Sequence, residues 1–307
     1  MNRIVVRREV VRHVAGATVG AMDSLAVEEP LEIRVAGEPL TVTMRTPGHD
    51  MDLCAGFLVG EGIVRAPDDL AGMRYCAGAV DGVNTYNVLD IGLAAGVAAL
   101  GDLVRRPFST TSSCGVCGKA SIETLRVDAS YDLRADHVEI EASTLLELPG
   151  RLRQAQGVFD RTGGLHAAGL YDIGGDDLRV VREDVGRHNA VDKVVGWAYR
   201  AGLLPLRGHV LVVSGRASFE LTQKAAMAGI PMLAAVSAPS SLAVELAEDL
   251  GMTLVGFVRP PSMVIYAGGS RVPPGRFAPV ENGEEEACPG TAHSRVERLT
   301  TTSTTPA

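Results

Sequence analysis

His209-Val210-Leu211-Val212-Val213-Ser214 begins a run to Val258 in which strand and helix patterns alternate. Its nearly unbroken apolar run is the pattern of a strand buried on both faces. Ser218 to Gly229 follows with helical spacing and is closed by glycine and then Pro231. Met232-Leu233-Ala234-Ala235-Val236 repeats the buried strand, Ser240 to Leu250 repeats the helix, and Met252 to Val258 is a third strand. A β-α-β-α-β order implies parallel strands joined by right-handed crossovers. Leu178-Arg179-Val180-Val181-Arg182 and a helix near Val185 to Ala201 add one more unit ahead of it.

Loops leaving the carboxyl ends of parallel strands crowd together, and ligands bind there. Here they are Ser214-Gly215-Arg216-Ala217-Ser218, Ser237-Ala238-Pro239-Ser240-Ser241 and Arg259-Pro260-Pro261-Ser262. The first two run into helix N-termini, whose free N–H groups favour anions. All three carry hydroxyls and two carry arginine, which grips phosphate with paired hydrogen bonds. Together they predict a phosphate-bearing ligand such as a nucleotide, although each serine taken singly also reads as a helix cap. Neither a Walker loop nor a Gly-x-Gly-x-x-Gly fingerprint is present.

Working outward, Leu31 to Val35 and Leu40 to Met44 alternate about Ala36-Gly37-Glu38 as an antiparallel pair. Met51 to Gly60 has helical spacing, Tyr86 to Ile91 reads as a strand, and Thr144 to Gln156 as a helix kinked at Pro149. The expected organisation is a β-rich part with one helix over 1–104, a mobile loop over 105–120, an α/β part over 121–272, and a disordered, Pro-, Gly-, Glu- and Thr-rich tail over 273–307. The fold class is therefore α/β, a mixed sheet with a C-terminal parallel unit plus an antiparallel N-terminal part.

A net charge of −8 argues against a general nucleic-acid partner, which needs a basic surface. No apolar run approaches the ~18 residues that cross a bilayer. Arg3, Arg7, Arg8 and Arg12 interrupt the opening valines, so no signal-peptide core is read there. Five cysteines, an odd number, do not suggest a disulfide framework. A cytoplasmic protein without a membrane partner is expected.

The chemistry concentrates in Ser112-Ser113-Cys114-Gly115-Val116-Cys117-Gly118-Lys119. Structural zinc wants four ligands, and no second Cys-x-x-Cys follows; Cys54, Cys76 and Cys288 are each alone. No permanent metal is expected. Beside Lys119 and near a helix start, a thiolate would be favoured. Such a thiol can carry sulfane sulfur as a persulfide, and its neighbour can release that sulfur by exchange. A redox dithiol fits the residues equally well, and a zinc site with His166 and His188 is conceivable from composition.

A second constellation is Glu183-Asp184-Val185-Gly186-Arg187-His188-Asn189-Ala190-Val191-Asp192-Lys193. Val191, Val194, Val195 and Ala198 mark a buried helix face, while Asn189 and Lys193 share another. Asp184 reads as the N-cap, and His188, without a spaced partner, as a hydrogen-bonded histidine rather than a metal ligand.

With Arg45-Thr46-Pro47-Gly48-His49-Asp50, Ala55-Gly56-Phe57-Leu58, Glu61-Gly62, Thr162 to Ala168 and Ser214-Gly215-Arg216 through Lys224, these runs resemble the formate dehydrogenase accessory sulfurtransferase family, FdhD or NarQ. The resemblance covers nearly the whole length before the tail. It implies a carrier that takes persulfide sulfur from a cysteine desulfurase. The carrier passes it to the molybdenum cofactor, in its bis-guanine-dinucleotide form, before insertion into a molybdenum-dependent formate dehydrogenase. It implies Cys114 as the persulfide cysteine and Cys117 as its companion. Phe257, Val258, Arg259, Pro260, Pro261 and Ser262 would lie in the guanine-nucleotide site; Ser214, Gly215, Arg216 and Ser237 of the strand-end loops, with His188, are expected to bind the cofactor as well. Relatives often carry Arg-Gly where this chain has Arg259-Pro260-Pro261, which alters that contact. The family fold is similar to cytidine deaminases and pairs into homodimers. A cofactor-binding chaperone that moves no sulfur is the alternative. A zinc deaminase fits less well, because His166-Ala167-Ala168 lacks the proton-moving glutamate and Ser113 stands where a proline is needed.

Overall fold

Alternation about a two-residue turn builds the first sheet. In the computed structural model, which describes residues 4–76, 79–80, 83–97 and 131–273, β1 (Val5–Val14) and β2 (Ala17–Ala26) form a separate antiparallel ribbon. The sequence reading contains no such ribbon. Its cause is plain: Val11, Val14, Val19 and Met22 are exposed, so no buried face imposes alternation. β3 (Glu29–Val35) and β4 (Glu38–Arg45) are the expected hairpin. Ala36 and Gly37 both take positive φ, 52° and 86°, as a two-residue turn between twisted strands requires. Helix α1 (Asp50–Gly60) follows, then β5 (Leu70–Tyr75), the short pair β6 (Ala79–Val80) and β7 (Val83–Asn84), and β8 (Val88–Leu93). The first sheet runs β4-β3-β8-β5.

Beyond residue 131 come α2 (Ala142–Gln154), α3 (Gly157–Thr162), β9 (His166–Asp172), β10 (Asp177–Asp184), α4 (Arg187–Arg200), β11 (His209–Val213), α5 (Phe219–Met227), β12 (Met232–Ala235), α6 (Ser241–Leu250), β13 (Thr253–Arg259) and β14 (Ser262–Ala267). They make a six-stranded sheet in the order β10-β9-β11-β12-β13-β14. β11, β12 and β13 are parallel neighbours, as expected. The unit expected ahead of them needs correction. β9 pairs antiparallel with both β10 and β11, so β10 and β11 point the same way but are not neighbours. β9 was hidden because His166-Ala167-Ala168-Gly169-Leu170 follows two glycines and has no β-branched residue.

One core joins both sheets. Leu31, Ile33, Leu89 and Ile91 meet Leu53 and Leu58 of α1, Val191, Val194 and Val195 of α4, and Leu211, Leu233 and Leu254 of the second sheet. Leu145, Leu148 and Leu152 of α2 cover the second sheet's other face, against Tyr171, Val210 and Val212. The two central helices touch backbone to backbone. A Cβ at Gly56 would stand 1.9 Å from the Asp192 carbonyl oxygen, and one at Gly196 only 1.7 Å from that of Asp52.

Candidate functional site

β10, β11, β12 and β13 end at one edge of the large sheet, where α4, α5 and α6 begin. β9 starts there, with His166 opposite Asp184. The Ser214 hydroxyl accepts the Ala167 N–H at 2.9 Å, fixing the first loop to β9. A bridge between Ala217 and Pro239 ties the first loop to the second, and the Ser240 N–H donates to the Ala217 carbonyl at 3.0 Å. The Ser237 carbonyl accepts the Phe257 N–H at 3.3 Å. Phe257 sits at a bulge with φ 51° and is exposed, whereas Val258 is buried. Ser214, Gly215, Arg216, Ser237, His188 and Phe257 are thus gathered at this edge. Arg259, Pro260, Pro261 and Ser262 are not a loop into a helix. They form the exposed turn into antiparallel β14, with Arg259 opposite Ser262. No hydrogen bond among the described residues ties that turn to the other two loops.

Two histidines lie at this edge, His188 near the start of α4 and His166 at the start of β9. His188 Nε2 lies 3.4 Å from the Ser218 hydroxyl and 3.8 Å from Glu220 Oε2. The Glu220 carboxyl is held down to about 2, chiefly by His188. His166 is held below its ordinary 6.5 by burial first, then by the positive charges of Arg187 and His188. The unfolded chain therefore binds the extra proton. This contribution to stability is complete above the unfolded value of 6.5 and is lost as pH falls toward the folded one. His49 shifts the same way, through burial and Arg182. The melting temperature should fall between about pH 7.5 and about pH 5.5, and His166→Gln should shrink that fall. Thermal unfolding in the two buffers checks it, and an undiminished fall in the variant contradicts it.

Asp184 is not the N-cap of α4; Gly186 is. Asp184 is wholly buried, and its carboxylate is saturated. One oxygen meets Lys193 Nζ at 2.6 Å and the Thr46 N–H at 3.1 Å. The other accepts the Gly186 N–H at 2.8 Å and Asn189 Nδ2 at 3.0 Å. Lys193 also donates to the Thr46 carbonyl at 2.8 Å, and Asn189 Nδ2 to that of Met44 at 2.7 Å. The network staples the Met44–Thr46 segment to the strand edge. Lys193→Ala leaves a buried carboxylate without its counter-ion, which should cost about 3 kcal/mol or more. Denaturant unfolding measures it; a loss below about 1 kcal/mol contradicts the pairing.

Arg45 grips Asp50 with two bonds, 3.1 and 3.0 Å, and Lys224 meets Asp192 at 2.7 Å. Burial pushes the Asp192 carboxyl up. It opposes charge on Lys224 too, but nearby acids, Asp192 foremost, outweigh it and raise that amine. A cavity of about 200 Å³ beside Trp197, Arg179 and His209 lies at the opposite sheet end, away from these groups.

Comparison with known proteins places this arrangement. A sequence model of the FdhD/NarQ family matches residues 26–273. The chain belongs to the FdhD/NarQ family. It is 59% identical over 267 residues to the sulfur carrier protein FdhD of Mycolicibacterium paratuberculosis, covering 87% of this chain and 98% of that protein. It is 57% identical over 274 residues to the protein of the same name from Streptomyces avermitilis, covering 89% and 97%. A crystal structure from Desulfotalea psychrophila, described as a formate dehydrogenase accessory protein, superposes with a TM-score of 0.68 at 22% identity. It covers 88% of this chain and all of that one.

In this FdhD/NarQ chain the matching runs divide by burial. Arg45, Asp50, Asp184, Asn189, Asp192 and Lys193 point inward and hold elements together. Gly215, Ser214 and His188 are partly exposed at the strand edge. Cys114 and Cys117 lie outside the described residues, so a zinc quartet with His166 and His188 does too. Among the described residues no group of three or more His, Cys, Asp or Glu is placed to hold a metal. Sequence reasoning named Arg187 only as part of the Glu183 to Lys193 run, considered His166 only as a zinc ligand, and did not single out Glu220. The available signal was Gly186-Arg187 at a helix start beside a strand end.

Proposed function

We propose that this chain carries sulfur for the maturation of a molybdenum-dependent formate dehydrogenase. The observation that carries the reading is kinship at 59% identity over 98% of a protein named sulfur carrier FdhD. The sulfur site is Cys114. Its thiolate attacks the terminal sulfur of a cysteine desulfurase persulfide, so that the new S–S bond forms as the desulfurase thiolate leaves. Cys117 then attacks Cys114 Sγ, forming the Cys114–Cys117 disulfide and releasing sulfide to the acceptor; a cellular thiol reductant restores the pair. The acceptor, the molybdenum cofactor in its bis-guanine-dinucleotide form, is substrate here. Its nucleotide arm lies across Ser214, Gly215, Arg216, Ser237, His188 and the segment from Phe257 to Ser262. The hydroxyls and unshared arginines at that edge support an anionic ligand. The protein acts in the cytoplasm as a homodimer with a deaminase-like fold.

The test follows labelled sulfur. The full chain is incubated with a cysteine desulfurase and cysteine bearing heavy sulfur, then with the cofactor. Label should pass to the chain and then to the cofactor. Cofactor binding with no label ever on the chain would instead establish a chaperone that moves no sulfur.

A further inference from the structure

The geometry points to Arg187 as the residue that clamps the diphosphate of a guanine nucleotide at the strand edge, with His166 beside it as a hydrogen-bonding partner. This rests on the reading that the cofactor's nucleotide arm binds at that edge.

Arg187 is the first residue of α4, after Gly186. It is half-buried, and its Nε is sealed from solvent with no hydrogen-bond partner. The carboxylates nearby are already committed. Asp184 is taken by Lys193, Asn189 and two backbone N–H groups, and Glu220 faces His188. A half-buried guanidinium whose Nε is unpaired and which has no carboxylate partner is short of an acceptor, and a phosphate oxygen supplies one in matching fork geometry.

Across from Arg187 stands Gly215, where a Cβ would come 3.8 Å from Arg187 Cδ and 3.6 Å from His166 Nδ1. The arginine stem and the imidazole thus lie together against the first loop. His166 is lowered by burial and by the cations beside it, so near neutrality it adds a hydrogen bond without charge. Neither Gly186 nor Ser218 caps its helix with a side chain; the Ser218 hydroxyl faces His188 instead. The starts of α4 and α5 therefore add a favourable dipole to a site whose charge comes from Arg187. Arg216 and Arg259, by contrast, are exposed, where water and salt weaken any single contact.

Calorimetric titration of the full chain with GDP, guanosine and inorganic pyrophosphate tests the assignment. Arg187→Gln should weaken GDP about tenfold or more and abolish pyrophosphate binding, with guanosine affinity unchanged. Arg187→Lys, which keeps the charge but loses the fork, should fall between the two. Wild-type GDP affinity in Arg187→Gln, or in Arg187→Lys should the first variant not fold, would overturn the role of Arg187 while leaving the strand-edge reading standing. A wild-type chain that binds neither GDP nor guanosine would overturn that reading and this one together.

Discussion

Cells whose only copy of this protein carries Cys114→Ala lose formate dehydrogenase activity to background, while the purified variant melts at the wild-type temperature. The chemistry leaves little middle ground. Only a thiolate can take a sulfane sulfur as a persulfide, and alanine offers no substitute atom. Cys54 cannot stand in: it is wholly buried, and burial pushes its thiol well above the usual range. A shielded thiol with a raised pKa is a poor nucleophile. Formate-dependent dye reduction in extracts, read beside a melting curve of the pure variant, checks both halves. Full enzyme activity in the variant would show that sulfur does not travel through position 114.

Gly196→Ala should cost about 4 kcal/mol or more, a large part of the stability of an ordinary domain. The added methyl would sit 1.7 Å from the Asp52 carbonyl oxygen and 2.6 Å from the Gly56 backbone nitrogen. Neither neighbour can swing aside as a side chain tip would, because both belong to the packed helix α1. The helices must separate, and with them the core that joins the two sheets. Gly56→Ala should behave alike, since its methyl meets the Asp192 carbonyl at 1.9 Å. Gly150→Ala, where nothing lies within 4 Å of the added methyl, is the control and should stay near neutral. Denaturant midpoints compare the three. A Gly196→Ala midpoint equal to that of Gly150→Ala would contradict the backbone contact.

The parallel strands were legible because burial on both faces writes an unbroken apolar run, as in Val210 to Val213. The β3–β4 hairpin was legible for the opposite reason: one face is buried at Leu31, Ile33 and Val35, and the other carries Glu32 and Arg34. β1, β2 and β14 lack either pattern, with exposed valines and no strict period. The polar runs misled differently. Density of charge at Asp184, Asn189 and Lys193 marks motif, but spacing along one chain cannot say that Thr46, more than a hundred residues away, turns those groups inward. Asp184 looked like a cap because a short acidic side chain precedes a helix; a lysine two turns into that helix captures it instead. The loops at Ser214 and Ser237 were predictable because their place follows from strand order alone.

Sulfur transfer through Cys114 can be seen on the protein itself. The full chain is incubated with a cysteine desulfurase and cysteine, and the peptide containing Cys114 and Cys117 is weighed by mass spectrometry. Cys114 in the wild type should gain the mass of one sulfur atom, removed by a thiol reductant and absent from Cys114→Ala. An unmodified Cys114 after turnover of the desulfurase, or the same adduct in the alanine variant, would contradict it.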